Sequence, residues 1–367
     1  MSQLFEPFKI GPVTFRNRFV RSATQDWLPQ PDGQVSEAQL ELYEQLAAGG
    51  VGLIMTAHSY VSHPLGRAGN PQNAIYHERF IEGYKKMVEV VHRHDAKIFL
   101  QLAHAGRQTL PELIEGNMPV APSDLFDEKG QQVARALTLD EIERLLEDYE
   151  AAAMRAKRAG FDGVELHMAH GYLLAQFLSP YTNHRTDEYG GPVDQRIRLL
   201  CEVSYRVKSA VGRQFPVYAK LNTTDGVTAE TQLSLEDVIY AAQMIAEHGI
   251  DAIETSGGTV KETRVVMSKP GIVKPEQEAY FAAAAKQVKA AVKVPVILVG
   301  GLRSTAVMED LIAKGVADML SLSRPFVREP DLINKLAAGQ ARSSCVSCNA
   351  CFNPAGLKCR YTGPGLQ

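Results

Sequence analysis

The chain has 367 residues, 45% of them hydrophobic and 22% charged, an ordinary globular composition with ample material for a large core. Its 39 Lys and Arg against 42 Asp and Glu leave a net charge of -3, which gives no reason to expect a nucleic-acid or membrane partner. No apolar run is long enough to span a bilayer, and the start, MSQLFEPFKIG, lacks the basic and apolar regions of a signal peptide; a cytoplasmic protein is expected.

In chain order, FEPFKIGPVTF reads as a small hairpin. Eight short apolar runs then recur, each followed by a helical stretch: RFVRSA (18–23), VGLIMTA (51–57), KIFLQLA (97–103), DGVELH (162–167), PVYAKL (216–221), DAIETS (251–256), PVILVG (295–300) and DMLSLS (318–323). Continuous Val/Ile/Leu-rich runs of this length fit parallel strands buried on both faces. Amphipathic segments lie between them. Thr138 and Glu141 have capping-box spacing, and Ser234 is positioned as an N-cap.

A helix closing on Gly before the next strand appears four times, as AAGGVGLIM, RAGFDGVEL, EHGIDAIET and AKGVADMLS. The glycine is expected to supply a left-handed C-cap. Eight strand–helix units predict an α/β fold, a (βα)8 TIM barrel over residues 1–340, with the hairpin covering its floor. Residues 341–367 form a Cys-rich C-terminal extension. An open doubly wound sheet is disfavoured, because no GxGxxG follows an early strand.

Chemistry in a barrel belongs at the C-terminal ends of the strands. There the sequence places Ser22, Ala23, Thr24 and Gln25; His58; Gln101, His104 and Arg107; His167, His170 and Tyr172; Lys220 and Asn222; Ser256 to Gly258; Gly300, Gly301 and Arg303; and Ser323 with Arg324. Paired glycines and an arginine after the last two strands fit a phosphate site. The plainer alternative is a turn, with Arg324 paired to an acid. His167 and His170 could ligate zinc, donate hydrogen bonds to a developing oxyanion, or be satisfied core residues. Acidic residues are scarce at the strand ends, so a third zinc ligand is not obvious. Tyr172 fits the donor reading, because a phenol stays protonated at neutral pH.

These residues carry a family resemblance. ELHMAHGYLLAQFLSPYTNHRTDEYGG resembles the signature segment of the Old Yellow Enzyme family of FMN-dependent oxidoreductases, and LFEPFKIGPVTFRNRFVRSA, FLQLAHAGRQ, VGGLRS and SLSRPFVREPDL agree with it. The resemblance implies a TIM barrel holding FMN and a ping-pong cycle. NADH or NADPH delivers hydride to flavin N5, and an activated alkene such as an enone then accepts it. His167 and His170 match the pair that polarises the substrate oxygen, and Tyr172 matches the proton donor. Gln101 matches the amide at the flavin pyrimidine edge, Ser22 to Gln25 the loop beside the ring, and Gly301, Ser323 and Arg324 the phosphate-holding segments. His58 and Gly300 are expected to border the same cofactor.

Three features depart from that pattern or stand outside it. Lys220 replaces the arginine common near flavin N1 and O2; it keeps the charge and loses the planar fork, unless it turns away to pair with an acid. Trp27, the only tryptophan, is a candidate wall of the substrate site or a packing residue. Cys345, Cys348, Cys351 and Cys359 are spaced C-x2-C-x2-C-x7-C, which fits an iron–sulfur cluster, zinc or free thiols. The motif resembles that of 2,4-dienoyl-CoA reductase, with shorter later gaps, and there a [4Fe-4S] cluster links FMN to a second flavin domain. No such domain follows before Gln367. Cys201 is expected to be a helix packing residue.

The leading expectation is an ene-reductase acting on a small-molecule enone. The alternatives are an FMN-bearing subunit fed by a protein partner through the cysteines, a non-catalytic flavin binder, and a zinc hydrolase using His167 and His170. Homo-oligomerisation, NADH versus NADPH, and the choice of substrate through 58–75, 104–136 and 258–275 are left open by the sequence.

Overall fold

The computed structural model describes residues 2–227, 231–260 and 267–363. Eight parallel strands form a closed ring: β1 (Phe19–Arg21), β2 (Leu53–Met55), β3 (Lys97–Ala103), β4 (Gly163–Met168), β5 (Val217–Asn222), β6 (Ala252–Ser256), β7 (Val296–Val299) and β8 (Met319–Leu322). Each pairs with its neighbour in sequence. Pairing of β8 with β1, Leu320 opposite Phe19, closes the barrel. All eight apolar runs become strands, as their composition predicts.

The intervening helices include α1 (Glu37–Ala48), α2 (Ile81–His92), α3 (Leu139–Arg158), α4 (Arg198–Val211), α5 (Leu235–Glu247), α6 (Ala282–Ala291) and α7 (Thr305–Ala313). In α3 the capping box forms as predicted, with Thr138 and Glu141 each bonding the other's backbone. Losing such a cap costs about 1 kcal/mol. Ser234 caps α5 by accepting from Asp237 N–H. Gly50, Gly160, Gly249 and Gly315, one in each repeated phrase, have φ between +64° and +105°, the left-handed turn that lets each helix stop and the chain enter the next strand. Cys201 is buried on α4 within the main apolar core, as expected of a packing residue.

The hairpin forms between Phe8–Ile10 and Val13–Phe15. Ile10 and Phe15 pack beneath the barrel with Val20, Leu53, Met55, Phe99, Tyr218 and Ile297. This apolar plug closes the N-terminal end, so polar groups inside the barrel are reached from the other end. A three-stranded sheet, Val120–Ala121, Gln132–Ala136 and Leu125–Phe126, stands in the insertion after β3. No sequence period marks this sheet, because two of its strands are only two residues long.

The tail lies on the barrel. Ser343 N–H donates to the Arg303 carbonyl at 2.9 Å, Gly271 N–H to the Ser347 carbonyl at 3.0 Å, and Leu357 N–H to the Asp26 carbonyl at 2.8 Å. Among the described residues, no helix is long and apolar enough to cross a membrane.

Candidate active site

A cavity with about 980 Å³ of empty space opens at the C-terminal end of the strands. Ser22, Ala23, Thr24, Gln25, His58, Gln101, His167, His170, Tyr172, Lys220, Gly301, Ser323 and Arg324 all line it. Residues up to 302 positions apart in sequence, from Ser22 to Arg324, are thus gathered by the ring closure. Gly300 adjoins this set without lining the cavity. Trp27 does not line it either; it is half-buried with φ +52°.

The strand pleat stacks the polar groups in two layers. Side chains two residues apart share a face, so Glu165 lies below His167 on β4 and Glu254 below Ser256 on β6. Lateral register sets Gln101 beside Glu165, and Lys220 beside both His167 and Glu254, with the Lys220 ammonium reaching toward Glu254 and Glu165.

The lower layer is charged. Lys220, 2% exposed, has its Nζ 2.5 Å from Glu254 Oε1 and 3.8 Å from Glu165 Oε1. Ser22 and Ser321 hydroxyls donate to Glu254 at 2.8 and 2.9 Å, and Gln101 Nε2 donates to Glu165 at 2.6 Å. Burial pushes Glu165 well above the usual carboxylate range, with the neighbouring Glu254 charge adding to it. Glu254 suffers the same burial, yet Lys220 and its hydrogen bonds hold it below its ordinary value. Lys220 therefore pairs with acids, as the second sequence reading has it, and yet lines the cavity instead of turning away from it. Sequence reasoning missed Glu165 and Glu254 because they sit one pleat below the strand ends. Their shared parity with His167 and Ser256 was the available signal.

The upper layer is neutral. His170 has φ +61°, unusual for a residue with a side chain. Asn222 holds it there by accepting its backbone N–H at 3.0 Å, and Nε2 lies 2.7 Å from Ser256 Oγ. The His167 and His170 rings meet edge to face at 5.0 Å, and His167 is 4.7 Å from the Tyr172 ring. Buried His167 Nδ1 has no hydrogen-bond partner among the described residues. Burial lowers His167 well below an ordinary imidazole, aided by its histidine neighbours and Lys220. It lowers His170 to about 3 and raises Tyr172 to about 12. At neutral pH these groups are two uncharged imidazoles and a protonated phenol.

The end of the cavity beyond β7 and β8 differs in detail from its sequence reading. Gly301 has φ +74°, and a Cβ there would meet the Tyr280 ring at 2.8 Å, so only glycine fits. Ser323 and Thr24 hydroxyls are 2.8 Å apart, and Thr24 gives its own proton to the Ser22 carbonyl; Ser323 is then the donor. Arg324 Nη1 is held by the Lys269 carbonyl and Asn349 Oδ1 at 2.9 and 2.6 Å. Arg303 lines the cavity, but its guanidinium is bound to the Ile272 and Ser343 carbonyls. The backbone N–H groups of Arg303 and Ser304 are taken by Glu278. His104 accepts from Gly106 N–H and lies outside the cavity lining. Ser347 and Phe352 of the tail line the cavity, a contribution the cysteine spacing did not reveal.

The profile of the NADH:flavin oxidoreductase / NADH oxidase family, which are FMN oxidoreductases, matches residues 3–343. The chain belongs to that family. It is 36% identical over 350 residues to an NADH oxidase of Thermoanaerobacter brockii, covering 94% of this chain and 52% of that relative. It therefore spans about half the length of that protein. It is 35% identical over 331 residues to an NADPH dehydrogenase of Bacillus cytotoxicus, with 90% of each chain covered. Among solved structures, morphinone reductase in complex with tetrahydroNAD superposes with a TM-score of 0.77 at 28% identity, covering 93% of this chain and 92% of that one. Family and fold agree with the resemblance carried by the segment from Glu165 to Gly191.

Proposed function

We propose that the chain is an FMN-dependent NAD(P)H oxidoreductase that reduces alkenes conjugated to a carbonyl group. The observation that carries this reading is the convergence of three neutral donors, His167, His170 and Tyr172, on the cavity that also takes in Gln101, Lys220, Ser323 and Arg324. These residues fit the cofactor. An amide and an ammonium group lie at the base, a glycine excludes any side chain at one wall, and an arginine and a serine hydroxyl stand at the far end. Gln101 and Lys220 would hold the pyrimidine edge, and Gly301, Ser323 and Arg324 the phosphate. FMN, when bound, supplies hydride taken up from NADH or NADPH, as the nicotinamide analogue in morphinone reductase suggests.

The histidines act on the substrate oxygen. Each neutral imidazole has one N–H to give. Fixed donors in a water-poor site are worth most where negative charge develops in the transition state. Polarising that oxygen makes the β-carbon electrophilic. Tyr172 then gives its O–H proton to the α-carbon. Its raised pKa keeps it protonated until the substrate carbon becomes basic enough to take the proton. Positioned proton transfer of this kind contributes roughly 10²–10⁴-fold, so Tyr172→Phe should slow oxidation of the reduced protein by an enone by about that factor. Flavin reduction by NADPH should suffer far less. Equal losses in the two half-reactions would make Tyr172 structural and sink its assignment.

The tail favours a second reading. Cys345, Cys348, Cys351 and Cys359 line one cavity of about 320 Å³ of empty space, and Arg324 borders both this cavity and the larger one. Among the described residues, no three His, Cys, Asp or Glu gather closely enough for a single metal ion. That geometry disfavours zinc at the cysteines and at the histidine pair alike. An iron–sulfur cluster spreads its thiolates over several irons and suits the wider cavity better. The four cysteines would then take electrons from a protein partner. Iron and acid-labile sulfide in anaerobically purified protein, with flavin unreduced by NADH or NADPH, would favour this route.

A further inference from the structure

The proton-donor reading leaves two questions about Tyr172: what turns its hydroxyl hydrogen toward the substrate, and what meets the charge it acquires. The residue involved lies outside the signature segment, just after β2. The His58 and Tyr172 rings meet at a 53° tilt with centroids 5.2 Å apart, and His58 Nε2 is 3.3 Å from the Tyr172 hydroxyl oxygen. Among the described residues, that hydroxyl has no other hydrogen-bond partner.

The direction of this bond is decided on the far side of the imidazole. Gln72 Oε1 accepts the backbone N–H groups of Ala68 and Gly69 at 2.7 and 3.2 Å. Those groups can only donate, so the amide cannot be flipped. Its Nε2 lies 3.4 Å from the His58 carbonyl, which can only accept, and 2.7 Å from His58 Nδ1. An amide NH2 carries no lone pair for a ring N–H. His58 Nδ1 must therefore be the unprotonated nitrogen. Burial lowers His58 to about 4, so at neutral pH the ring holds one proton, and it resides on Nε2. Nε2–H donates to the Tyr172 oxygen, and the Tyr172 O–H is left to point into the cavity.

We propose that His58 is a positioning residue for the proton transfer: an Nε2–H donor, locked in one tautomer by Gln72, that aims the Tyr172 hydroxyl at the substrate and stabilises the phenolate oxygen it leaves. This rests on the reading of Tyr172 as proton donor. In the step, the Tyr172 O–H bond breaks and a C–H bond forms at the α-carbon. The electron pair of the broken bond stays on the phenolate oxygen, and the imidazole remains neutral throughout. Water restores the phenol proton. A hydrogen bond from a neutral donor to a charged oxygen is about twice as strong as one to a neutral oxygen, so the contact strengthens as the proton departs. Gly171, with φ +74° and Gln108 Nε2 2.6 Å from where a Cβ would lie, fixes the turn that brings Tyr172 to this position.

Two measurements test the proposal. In stopped-flow experiments on FMN-loaded protein, His58→Leu should slow reoxidation by an enone roughly 10- to 100-fold more than it slows reduction by NADPH, the range for losing a bond to a charged group. His58→Gln, whose amide nitrogen can reach the same place, should recover most of that loss. In a Tyr172→Phe background, His58→Leu should add nothing further. Nitrogen NMR of histidine-labelled protein supplies a readout independent of turnover: the His58 signals, assigned by their loss in His58→Gln, should show a pyridine-type Nδ1 and a pyrrole-type Nε2. The opposite tautomer would overturn the proposal, as would a His58→Leu enzyme that slows both half-reactions equally. If Tyr172→Phe is slow with enone while His58→Leu is not, the positioning role alone fails. If Tyr172→Phe is fast, the donor reading fails and takes this proposal with it.

Discussion

Two layers of one barrel interior treat polarity in opposite ways. The lower layer, Lys220 with Glu254 and Glu165, carries charge, and its members are met by opposite charge or by the donors of Ser22, Ser321 and Gln101. The upper layer, His58, His167, His170 and Tyr172, carries none at neutral pH. Each layer leaves polar atoms without a hydrogen-bond partner among the described residues, the neutral Nδ1 of His167 above and Glu165 Oε1 and Glu254 Oε2 below. A buried charge without partners is too costly to leave free. A buried neutral donor is tolerated at lower cost, and it is the group a substrate oxygen can use. The charged layer is held largely by the protein's own side chains while Lys220 still lines the cavity; under the proposed function, the uncharged layer is the one that meets the substrate.

Removing the cation should give the largest effect on the lower layer. Lys220→Met leaves the buried Glu254 carboxylate beside Glu165 without its counter-charge, and breaking such a buried pair costs about 3–5 kcal/mol. Thermal unfolding should show a large fall in Tm. An unchanged Tm would mean that water or bound protons already neutralise the pair, and the distinction between layers would weaken.

The upper layer should fail differently. Replacing His167 and His170 together by Ala should weaken binding of phenolic ligands, whose oxygen imitates the developing oxyanion, by about 10- to 100-fold from the loss of two donors. Absorbance titration of the FMN-loaded protein measures it. Phenol affinity equal to wild type would remove the clamp from the account.

Acid should also separate the layers. His58 titrates near 4 and His170 near 3 in the folded protein, both below an ordinary imidazole because they are buried. Between those values and about 6.5 the unfolded chain binds more protons than the folded one, so stability rises with pH there. Tm should therefore drop steadily as pH falls from about 6.5 toward 4. His58→Gln should flatten part of that slope, and an equal slope in wild type and variant would contradict a buried neutral His58. The smallest effect is expected at Trp27, which does not line the cavity. Trp27→Phe should change stability by no more than about 0.5 kcal/mol and leave the KM for enone as it is.

Much of this was legible in the sequence, for reasons visible in particular residues. The eight strands were readable because each is a short apolar run, four of them entered from a helix that closes on glycine, and Thr138, Glu141 and Ser234 mark helix starts by side chains that satisfy backbone N–H groups. The strand-end rule brought Gln101, His167, Lys220 and Arg324 into one list before any contact was known. What escaped was depth and direction. Glu165 and Glu254 hide inside apolar strands, where only alternation reveals that they face inward. The bond from His58 to Tyr172 joins segments 114 positions apart, and its polarity depends on Gln72, whose role no motif signals. The tail's contribution through Ser347 and Phe352 follows from its path across the barrel, which spacing of cysteines does not encode.

The most direct test is an anaerobic visible titration of the FMN-loaded protein, first with NADPH, then NADH, then an enone. The account predicts flavin bands that bleach with at least one nucleotide and return in full on adding the enone, with that return slowed in Tyr172→Phe. Flavin that bleaches and stays bleached in the presence of enone would contradict the proposed alkene reduction, and flavin unmoved by either nucleotide would shift electron entry to the four cysteines.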